Sequence, residues 1–543
     1  MEILRTENLS FKYAQESTAA VSDISLSVNR GEFFLLCGLS GCGKSTLLRL
    51  LKPEIAPSGE KSGRVLINNA DIGEFAPSVG FVMQSPEAQI VTDKVWHELA
   101  FGLENTGMKT DEIRRKVAEM ANFFGIHTWF REKTSNLSGG QKQLLNLAGI
   151  MLMEPEILIL DEPTAQLDPI ASKTFLQAVL QVNRELGTTI ILAEHALEEA
   201  FAMATKVAVM DSGKILFTGS ACNTAKYIIS SQNNMQHALP IAVRMAAEIN
   251  ACNDLPITVP DGRNFLLDLF KDKAMPEMDI ANCKIREKET VLELKDIWFT
   301  YEKEKPPVLR DFSLSVKKGD FFALLGGNAS GKTTAIKLLA GSLRAQSGKV
   351  KIYGKNITKN KNNKDFNRLA FLPQNPQSLF VYETLLEDLQ SVGNKNEVEQ
   401  IAKYLGIKNL LNRHPFDLSG GEMQKAALAK ILLRRPKIIL MDEPDKGLDS
   451  YAKIFLGNIL KSLCEKGITI LLVSHDVEFC AAFASRCAMV FDGEIISEDI
   501  PRSFFGGNKF YTTTVNRITK GIADGIITAE EGIMLCKKAK DSA

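Results

Sequence analysis

Short, uninterrupted apolar runs alternate along this chain with amphipathic stretches of helical period. The runs Phe33-Phe34-Leu35-Leu36-Cys37, Ile157-Leu158-Ile159-Leu160, Phe321-Phe322-Ala323-Leu324-Leu325 and Ile438-Ile439-Leu440-Met441 are too short for buried helices. They read as strands covered on both faces, as in a mostly parallel sheet. Between them, Ser45-Thr46-Leu47-Leu48-Arg49-Leu50-Leu51 and Lys332-Thr333-Thr334-Ala335-Ile336-Lys337-Leu338-Leu339 repeat with the period of a helix. Each half closes on a hairpin pattern, Val207–Met210 turning at Asp211-Ser212-Gly213 and Met489–Phe491 turning at Asp492-Gly493. The pattern weakens between Ala221 and Glu289, where Pro240, Pro256, Pro260 and Pro276 interrupt it. A small irregular appendage and linker is expected there, not a long helical arm.

The landmarks recur in one order, so a repeat explains them. Lys44 and Lys332 stand 288 positions apart, as do the aromatic-ended strands "FKY" at Tyr13 and "FTY" at Tyr301. "NLSGGQKQ" returns as "DLSGGEMQ" and "LILDEP" as "ILMDEP", both 281 positions on, and His195 in "AEH" is matched by His475 in "SHD". A period near 280 is too long for a solenoid and suits a duplicated domain. The expected layout is a first domain over 1–220, the appendage over 221–289, a second domain over 290–500 and a tail over 501–543.

Two glycine loops carry the plainest chemistry. "GLSGCGKST" (38–46) and "GGNASGKTT" (326–334) both fit G-x-x-x-x-G-K-[ST] and lie between a strand and a helix N-terminus. Glycines let backbone N–H groups curl around an anion while the lysine adds positive charge, which makes a phosphate cradle. Its expected members are Gly38, Ser40, Gly41, Gly43, Lys44, Ser45 and Thr46, and Gly326, Asn328, Ser330, Gly331, Lys332, Thr333 and Thr334. A second anion-facing feature is the helix opened by Ser138-Gly139-Gly140-Gln141, and again by Ser419-Gly420-Gly421-Glu422, which offers unpaired N–H groups without a lysine.

Composition removes several function classes. Lys+Arg and Asp+Glu are both 65, so no net positive field favours nucleic acid or an anionic lipid surface. The nine cysteines (Cys37, Cys42, Cys222, Cys252, Cys283, Cys464, Cys480, Cys487, Cys536) form no C-x-x-C pair, which argues against a zinc ribbon or a disulfide framework and for a reducing compartment. "MEILRTENLSF" has no apolar signal core and no 18-residue apolar span follows it, so the chain is expected neither to span a membrane nor to be secreted.

The ordered motifs resemble the nucleotide-binding domain of ATP-binding cassette proteins, over nearly the whole chain and twice. The resemblance implies an α/β fold with two P-loop cassette domains. Each would hold a mostly parallel sheet with helices, an antiparallel β part and a helical signature subdomain. It implies ATP and Mg²⁺ as cofactors, with Lys44 and Lys332 on the β- and γ-phosphates and Ser45 and Thr333 giving hydroxyls to the metal. Asp161, Asp442, Gln84 and Gln374 would complete the metal shell, the two glutamines also sensing the γ-phosphate. Glu162 and Glu443 would polarise the attacking water, with a second-sphere metal role as their alternative. His195 and His475 would contact the γ-phosphate, while His97, His127, His237 and His414 sit in no motif. Tyr13 and Tyr301 match the adenine-stacking aromatic, with strand core packing as the plainer reading. Cys42, inside the cradle, is a space-filler or a reactive thiol.

In this family two cassettes stack head to tail, so each signature closes over the other's nucleotide and the two halves would pair within one chain. One site would combine Lys44, Ser45, Gln84, Asp161, Glu162 and His195 with Ser419, Gly420 and Gly421. The other would combine Lys332, Thr333, Gln374, Asp442, Glu443 and His475 with Ser138, Gly139 and Gly140. Glu422 departs from the usual glutamine and "AQLD" (165–168) from the usual loop, and neither removes a catalytic group.

Among soluble tandem cassettes, translation factors carry a long charged arm between the halves, and sugar importers commonly a degenerate phosphate loop; neither fits. "QSPEAQIVTDKVWHELAFGLEN" (84–105) resembles the ATPase subunits of energy-coupling factor (ECF) transporters, and "FYTTTVNRITKGI" resembles the tail of fused ECF ATPases suspected in thiamine-precursor uptake. This implies a transmembrane coupling protein and a substrate-binding membrane protein as partners, no nucleic acid, and a peripheral place on the cytoplasmic face of the cell membrane. Acidic residues beyond each glutamine, Glu87, Asp93 and Glu98, then Glu383, Glu387 and Asp388, are expected to meet the coupling protein. A soluble mechanoenzyme of translation or DNA repair is the alternative.

Overall fold

The computed structural model describes every residue except 15, 17, 74–75, 232, 250–254, 272–288, 358–367, 510 and 542–543. Cys252, Cys283, Pro276 and the middle of the expected linker therefore lie outside the described residues. By its internal contacts the chain divides into two compact units. One is Met1–Val243 with the segment ending at Thr258, and the other is Val259–Ala543 with the segment beginning at Arg244.

The first unit carries ten strands: β1 (Glu2–Tyr13), β2 (Val21–Asn29), β3 (Phe33–Cys37), β4 (Gly59–Ile67), β5 (Ala70–Asp71), β6 (Val79–Val82), β7 (Ile157–Asp161), β8 (Thr189–Glu194), β9 (Lys206–Asp211) and β10 (Lys214–Gly219). They form an antiparallel sheet of order β2-β1-β4-β5 and a six-stranded sheet of order β10-β9-β3-β8-β7-β6, parallel except for the β9–β10 hairpin. The second unit repeats this with β11 (Thr290–Phe299), β12 (Leu309–Lys317), β13 (Phe321–Leu325), β14 (Ser347–Ile352), β15 (Lys355–Asn356), β16 (Leu369–Leu372), β17 (Ile438–Asp442), β18 (Thr469–Val473), β19 (Arg486–Phe491) and β20 (Glu494–Asp499). Its sheets have the orders β12-β11-β14-β15 and β20-β19-β13-β18-β17-β16.

The apolar runs read as strands are buried at every position in β3, β7, β13 and β17. One face packs on the phosphate-loop helix and the antiparallel sheet and the other on helices, which is why these strands lack the alternation of a half-exposed sheet. A satellite core, with Val95, Leu99, Leu103, Val117, Leu145 and Ala148, joins the helices Val95–Asn105, Thr110–Phe123 and Gly139–Met151 into a helical part. The helix Thr110–Phe123 buries Ile113, Val117 and Ala121, one residue per turn, and leaves its charged face outside.

The expected appendage is not a module of its own among the described residues. The helix Ala221–Ser230 belongs to the first unit, where Tyr227 stacks on Phe217 of β10 with centroids 4.7 Å apart. The helix Val259–Leu269 belongs to the second, where Arg263 donates to the Lys520 carbonyl at 2.6 Å. The C-terminal tail is likewise built in. Its helix Thr514–Thr519 buries Val515 and Ile518, and its first N–H donates to Glu478 at 2.6 Å.

Burial pushes the Glu478 carboxyl up to about 7, against the lowering effect of the Thr514 N–H. In the unfolded chain it returns to about 4.3. A group raised in this way favours the fold below its unfolded value, and that contribution is lost as pH rises through the folded value. Glu478→Gln, which keeps the acceptor oxygen and removes the charge, should therefore raise the melting temperature at pH 8 and leave it unchanged at pH 4. An equal effect at both pH values would disprove this account of the tail's anchorage.

Candidate functional site

Each phosphate loop leaves the end of a central buried strand, β3 or β13, and enters a helix, Lys44–Leu50 or Lys332–Leu339. Gly43 and Gly331, just before the lysines, have φ of 105° and 104°. That backbone is costly for any residue with a Cβ, and at Gly43 a Cβ would lie 2.4 Å from the Ala20 carbonyl oxygen. The lysines are buried and turned into their own loops. Lys44 Nζ donates to the carbonyls of Gly38 (2.8 Å) and Leu39 (3.2 Å), and Lys332 Nζ to those of Gly326 (3.1 Å) and Gly327 (2.6 Å). Ser330 Oγ is 3.3 Å from Lys332 Nζ. Cys42 is buried beneath the first loop, and burial pushes its thiol up, which fits a space-filler and not a reactive group.

The next residue in each loop reaches a strand-end carboxylate. Ser45 Oγ donates to Asp161 Oδ1 at 2.8 Å and Thr333 Oγ1 to Asp442 Oδ1 at 3.0 Å. Burial raises both aspartates, and these hydroxyls pull the other way. A hydroxyl and a carboxylate side by side are the hard oxygen donors that suit Mg²⁺. One position on, Thr46 and Thr334 meet the hydroxyls of Tyr13 (3.0 Å) and Tyr301 (3.1 Å). Phe11 and Phe299 pack edge-on against those rings at 5.0 and 4.9 Å. Tyr301 is 55% exposed, so its ring is presented beside the loop and is not core packing.

Glu162 and Glu443 gather the remaining residues. Gln84 Nε2 donates to Glu162 Oε2 at 3.2 Å and Gln374 Nε2 to Glu443 Oε2 at 2.7 Å. His195 Nδ1 lies 3.3 Å from Glu162, and His475 Nε2 lies 2.9 Å from Glu443, both as close ion-pair contacts without hydrogen-bond alignment. A cation completes each cluster: Lys44 at 3.2 Å from Glu162, but Lys446 at 3.1 Å from Glu443. Burial alone would raise these carboxyls, yet the histidine and lysine beside each outweigh it and hold both at about 2. Both glutamates also have positive φ, 44° and 49°, an unusual conformation for a residue with a side chain.

The signature segments sit at helix starts. Ser138 caps Gly139–Met151 and Gln141 caps it reciprocally, Ser138 N–H donating to Gln141 Oε1 at 2.9 Å. Ser419 and Glu422 make the same capping box on Gly420–Leu433, with Ser419 N–H donating to Glu422 Oε2 at 2.9 Å. Glutamate and glutamine both supply the acceptor this box requires, so the Glu422 departure is conservative locally.

Comparison with known proteins gives the context for this geometry. The ABC transporter family model matches residues 21–165 and 309–446. A Bacillus anthracis protein named as an ABC transporter ATP-binding protein is 39% identical over 546 residues, covering 98% of each chain. The Bacillus subtilis protein YkoD, named as an HMP/thiamine import ATP-binding protein, is 32% identical over 520 residues, covering 93% of this chain and 92% of its own. Among solved structures, cbiO1 from Clostridium perfringens, part of the ABC transporter complex cbiONQ, is 33% identical with a TM-score of 0.39, covering 43% of this chain and 94% of that one.

The chain belongs to the ABC transporter family. It is an ATP-binding and ATP-hydrolysing protein with two cassette domains.

Within each ABC cassette, the segment after the glutamine corrects the expectation for its carboxylates. Glu98 accepts the N–H groups of Val91 (3.1 Å) and Thr92 (2.6 Å), and Asp388 accepts those of Val381 (3.2 Å) and Tyr382 (3.1 Å). Asp388 is fully buried and pairs with Lys430 at 2.6 Å. Both groups hold loops; Asp388 is sealed beneath its loop, while Glu98 is half-buried. The loops also present apolar side chains: Val91, Trp96, Val381 and Tyr382 are exposed, at 66%, 41%, 84% and 50%. Glu87 pairs with Lys142 at 2.6 Å, while Asp93, Glu383 and Glu387 remain at the surface. The buried role of Asp388 was not legible, because its partner Lys430 lies 42 positions away. Sequence inspection also passed over Thr164, Glu194, Asp445 and Ser474, whose only signal is how they align between the halves.

Asp388→Asn should cost on the order of 3 kcal/mol in denaturant unfolding, because it leaves Lys430 without its counter-charge in a mostly buried place. A loss under about 1 kcal/mol would show that the loop does not depend on this pair.

Proposed function

We propose that this ABC ATPase is the energy-coupling subunit of an ECF-type importer, on the cytoplasmic face of the cell membrane. It would act with a transmembrane coupling protein and a substrate-binding membrane protein. The cargo class is a vitamin, a vitamin precursor or a metal ion, and the name of the full-length relative YkoD makes a thiamine precursor the first to test. The observation that carries the reading is the pinned loop after each glutamine. In each half, one carboxylate ties down two backbone N–H groups so that apolar side chains stand outward on a segment that continues from Gln84 or Gln374. Such a surface suits a partner's helix, and its link to the glutamine gives that partner a mechanical path to the catalytic carboxylate.

ATP would be held by Lys44, Ser45 and Thr46 or by Lys332, Thr333 and Thr334, with Tyr13 or Tyr301 beside the base. Ser45 with Asp161 and Thr333 with Asp442, joined by Gln84 and Gln374, would hold Mg²⁺, which supplies charge neutralisation on the phosphates. Glu162 and Glu443 are the groups that polarise the attacking water. Held at about 2 they are weak bases. When Lys44 and His195 turn to the phosphates, the charges that depress Glu162 move off it and its basicity rises toward a useful range; at Glu443 the histidine would leave in the same way while Lys446 stays beside it. Closure of each site by the other half's signature, Ser138 over the Lys332 loop and Ser419 over the Lys44 loop, completes the reading.

Purification of the tagged chain from native membranes tests the assignment. Two small, strongly hydrophobic proteins should accompany it, whereas ribosomes or nucleic acid in their place would favour a soluble mechanoenzyme. The crossed arrangement has its own test: Ser138→Arg should abolish vanadate trapping of nucleotide at the Lys332 site by at least about tenfold and spare binding at the Lys44 site. Loss at the Lys44 site alone would rule out the head-to-tail pairing.

A further inference from the structure

The two cassettes hold one buried hydroxyl–carboxyl pair at the same place with the chemistry exchanged. In the first, Thr164 Oγ1 donates to Glu194 Oε1 at 2.6 Å. In the second, Ser474 Oγ donates to Asp445 Oδ2 at 2.7 Å. Thr164 and Asp445 are 281 positions apart, the spacing of Asp161 and Asp442, while Glu194 and Ser474 are 280 apart, the spacing of His195 and His475. The carboxyl thus stands before the histidine in one half and after the catalytic glutamate in the other. All four residues are buried, and in each half the second carboxyl oxygen, Glu194 Oε2 or Asp445 Oδ1, has no hydrogen-bond partner. Burying a carboxyl so incompletely satisfied is costly, and a fold that needed only to fill the space would use apolar side chains.

We infer that this pair is a positioning device, which ties the turn after the catalytic glutamate to the residue before the histidine and so keeps the two catalytic side chains in register. The local geometry requires such a tie. Glu162 and Glu443 have positive φ, and each is fixed to the neighbouring strand by one backbone bond, Glu162 N–H to the Ala193 carbonyl at 3.0 Å and Glu443 N–H to the Val473 carbonyl at 2.9 Å. Strained backbone persists only where the surroundings over-determine it. The hydroxyl–carboxyl bond adds the second fixed point, two residues beyond the glutamate and one before the histidine. In the second half it continues through the chain, since Asp476 N–H donates to Ser474 Oγ at 2.9 Å. In the first half the Thr164 N–H also donates to Glu194 Oε1, at 3.3 Å. The hydroxyl–carboxyl bond is what the two halves share, and either partner can carry its carboxyl, which explains why the exchange is tolerated. The inference rests on the roles proposed for Glu162, Glu443, His195 and His475.

The test is reciprocal exchange in the full chain within its membrane complex, made in both halves at once so that neither site masks the other. Thr164→Asp with Ser474→Glu places two carboxyls together in each half. It should lower kcat at least about tenfold and move KM less than about twofold, since small misplacements of reacting groups can cost up to about 10²-fold. Adding Glu194→Ser and Asp445→Thr restores one hydroxyl and one carboxyl per half, now exchanged, and should return kcat to within about threefold of the parent. Should the first variant fold poorly, Thr164→Val with Ser474→Ala removes only the donors and should lower kcat with melting temperature followed in parallel. Failure of the fourfold exchange to improve on the twofold variant, or full kcat in the Val/Ala variant, overturns the positioning role. Glu162→Gln with Glu443→Gln separates the two levels. If that variant turns over normally, the proposed base and this inference both fall; if it is inactive while the exchange series is flat, only the inference falls.

Discussion

Everything in each cassette depends on a constraint of parallel sheets: the carboxyl ends of adjacent strands open onto one edge. The orders β9-β3-β8-β7-β6 and β19-β13-β18-β17-β16 put the phosphate loop between its neighbours. In the first cassette His195, then Asp161 with Glu162, then Gln84 lie at or just after the ends of β8, β7 and β6, the next three strands along. Ligands of open α/β sheets bind at such an edge because helix N-termini and loop amides converge there. The bond from Ser45 to Asp161, or from Thr333 to Asp442, is the first consequence, since it locks the phosphate-loop helix to the end of the neighbouring buried strand.

The two halves reach one electrostatic state by different routes. Glu162 and Glu443 are each held at about 2 by a histidine and a lysine. The lysine is Lys44 of the phosphate loop in the first half and Lys446, three residues after the glutamate, in the second. Duplication has therefore preserved the charge balance and not the individual contacts. The hydroxyl–carboxyl pairs follow the same logic, and so do Gln141 and Glu422, which differ in charge but share an acceptor oxygen in the capping box.

Outside the nucleotide edge, three carboxylates hold backbone. Glu98 and Asp388 fasten the loops after the glutamines, and Glu478 fastens the first N–H of a tail helix. This explains why the tail packs as part of the second unit. It also corrects the view of Asp388 as a partner-facing charge, since it lies buried beneath the loop it secures.

The sequence by itself determined the duplication, the strand-to-loop-to-helix context of both phosphate loops, and the glutamine and histidine that stand beside Glu162 and Glu443. These are legible because a cradle must be contiguous and because a buried strand of four or five apolar residues announces where its end lies. Only the tertiary structure decided which polar groups pair: Asp388 with Lys430, Thr164 with Glu194, Ser474 with Asp445, Lys446 with Glu443. It also decided that the region after Ala221 is divided between two units. The physical reason is one of range. Periodicity and motif spacing report what a segment does with its own neighbours, whereas a buried hydrogen bond is chosen by the distance and desolvation of groups that folding alone brings together.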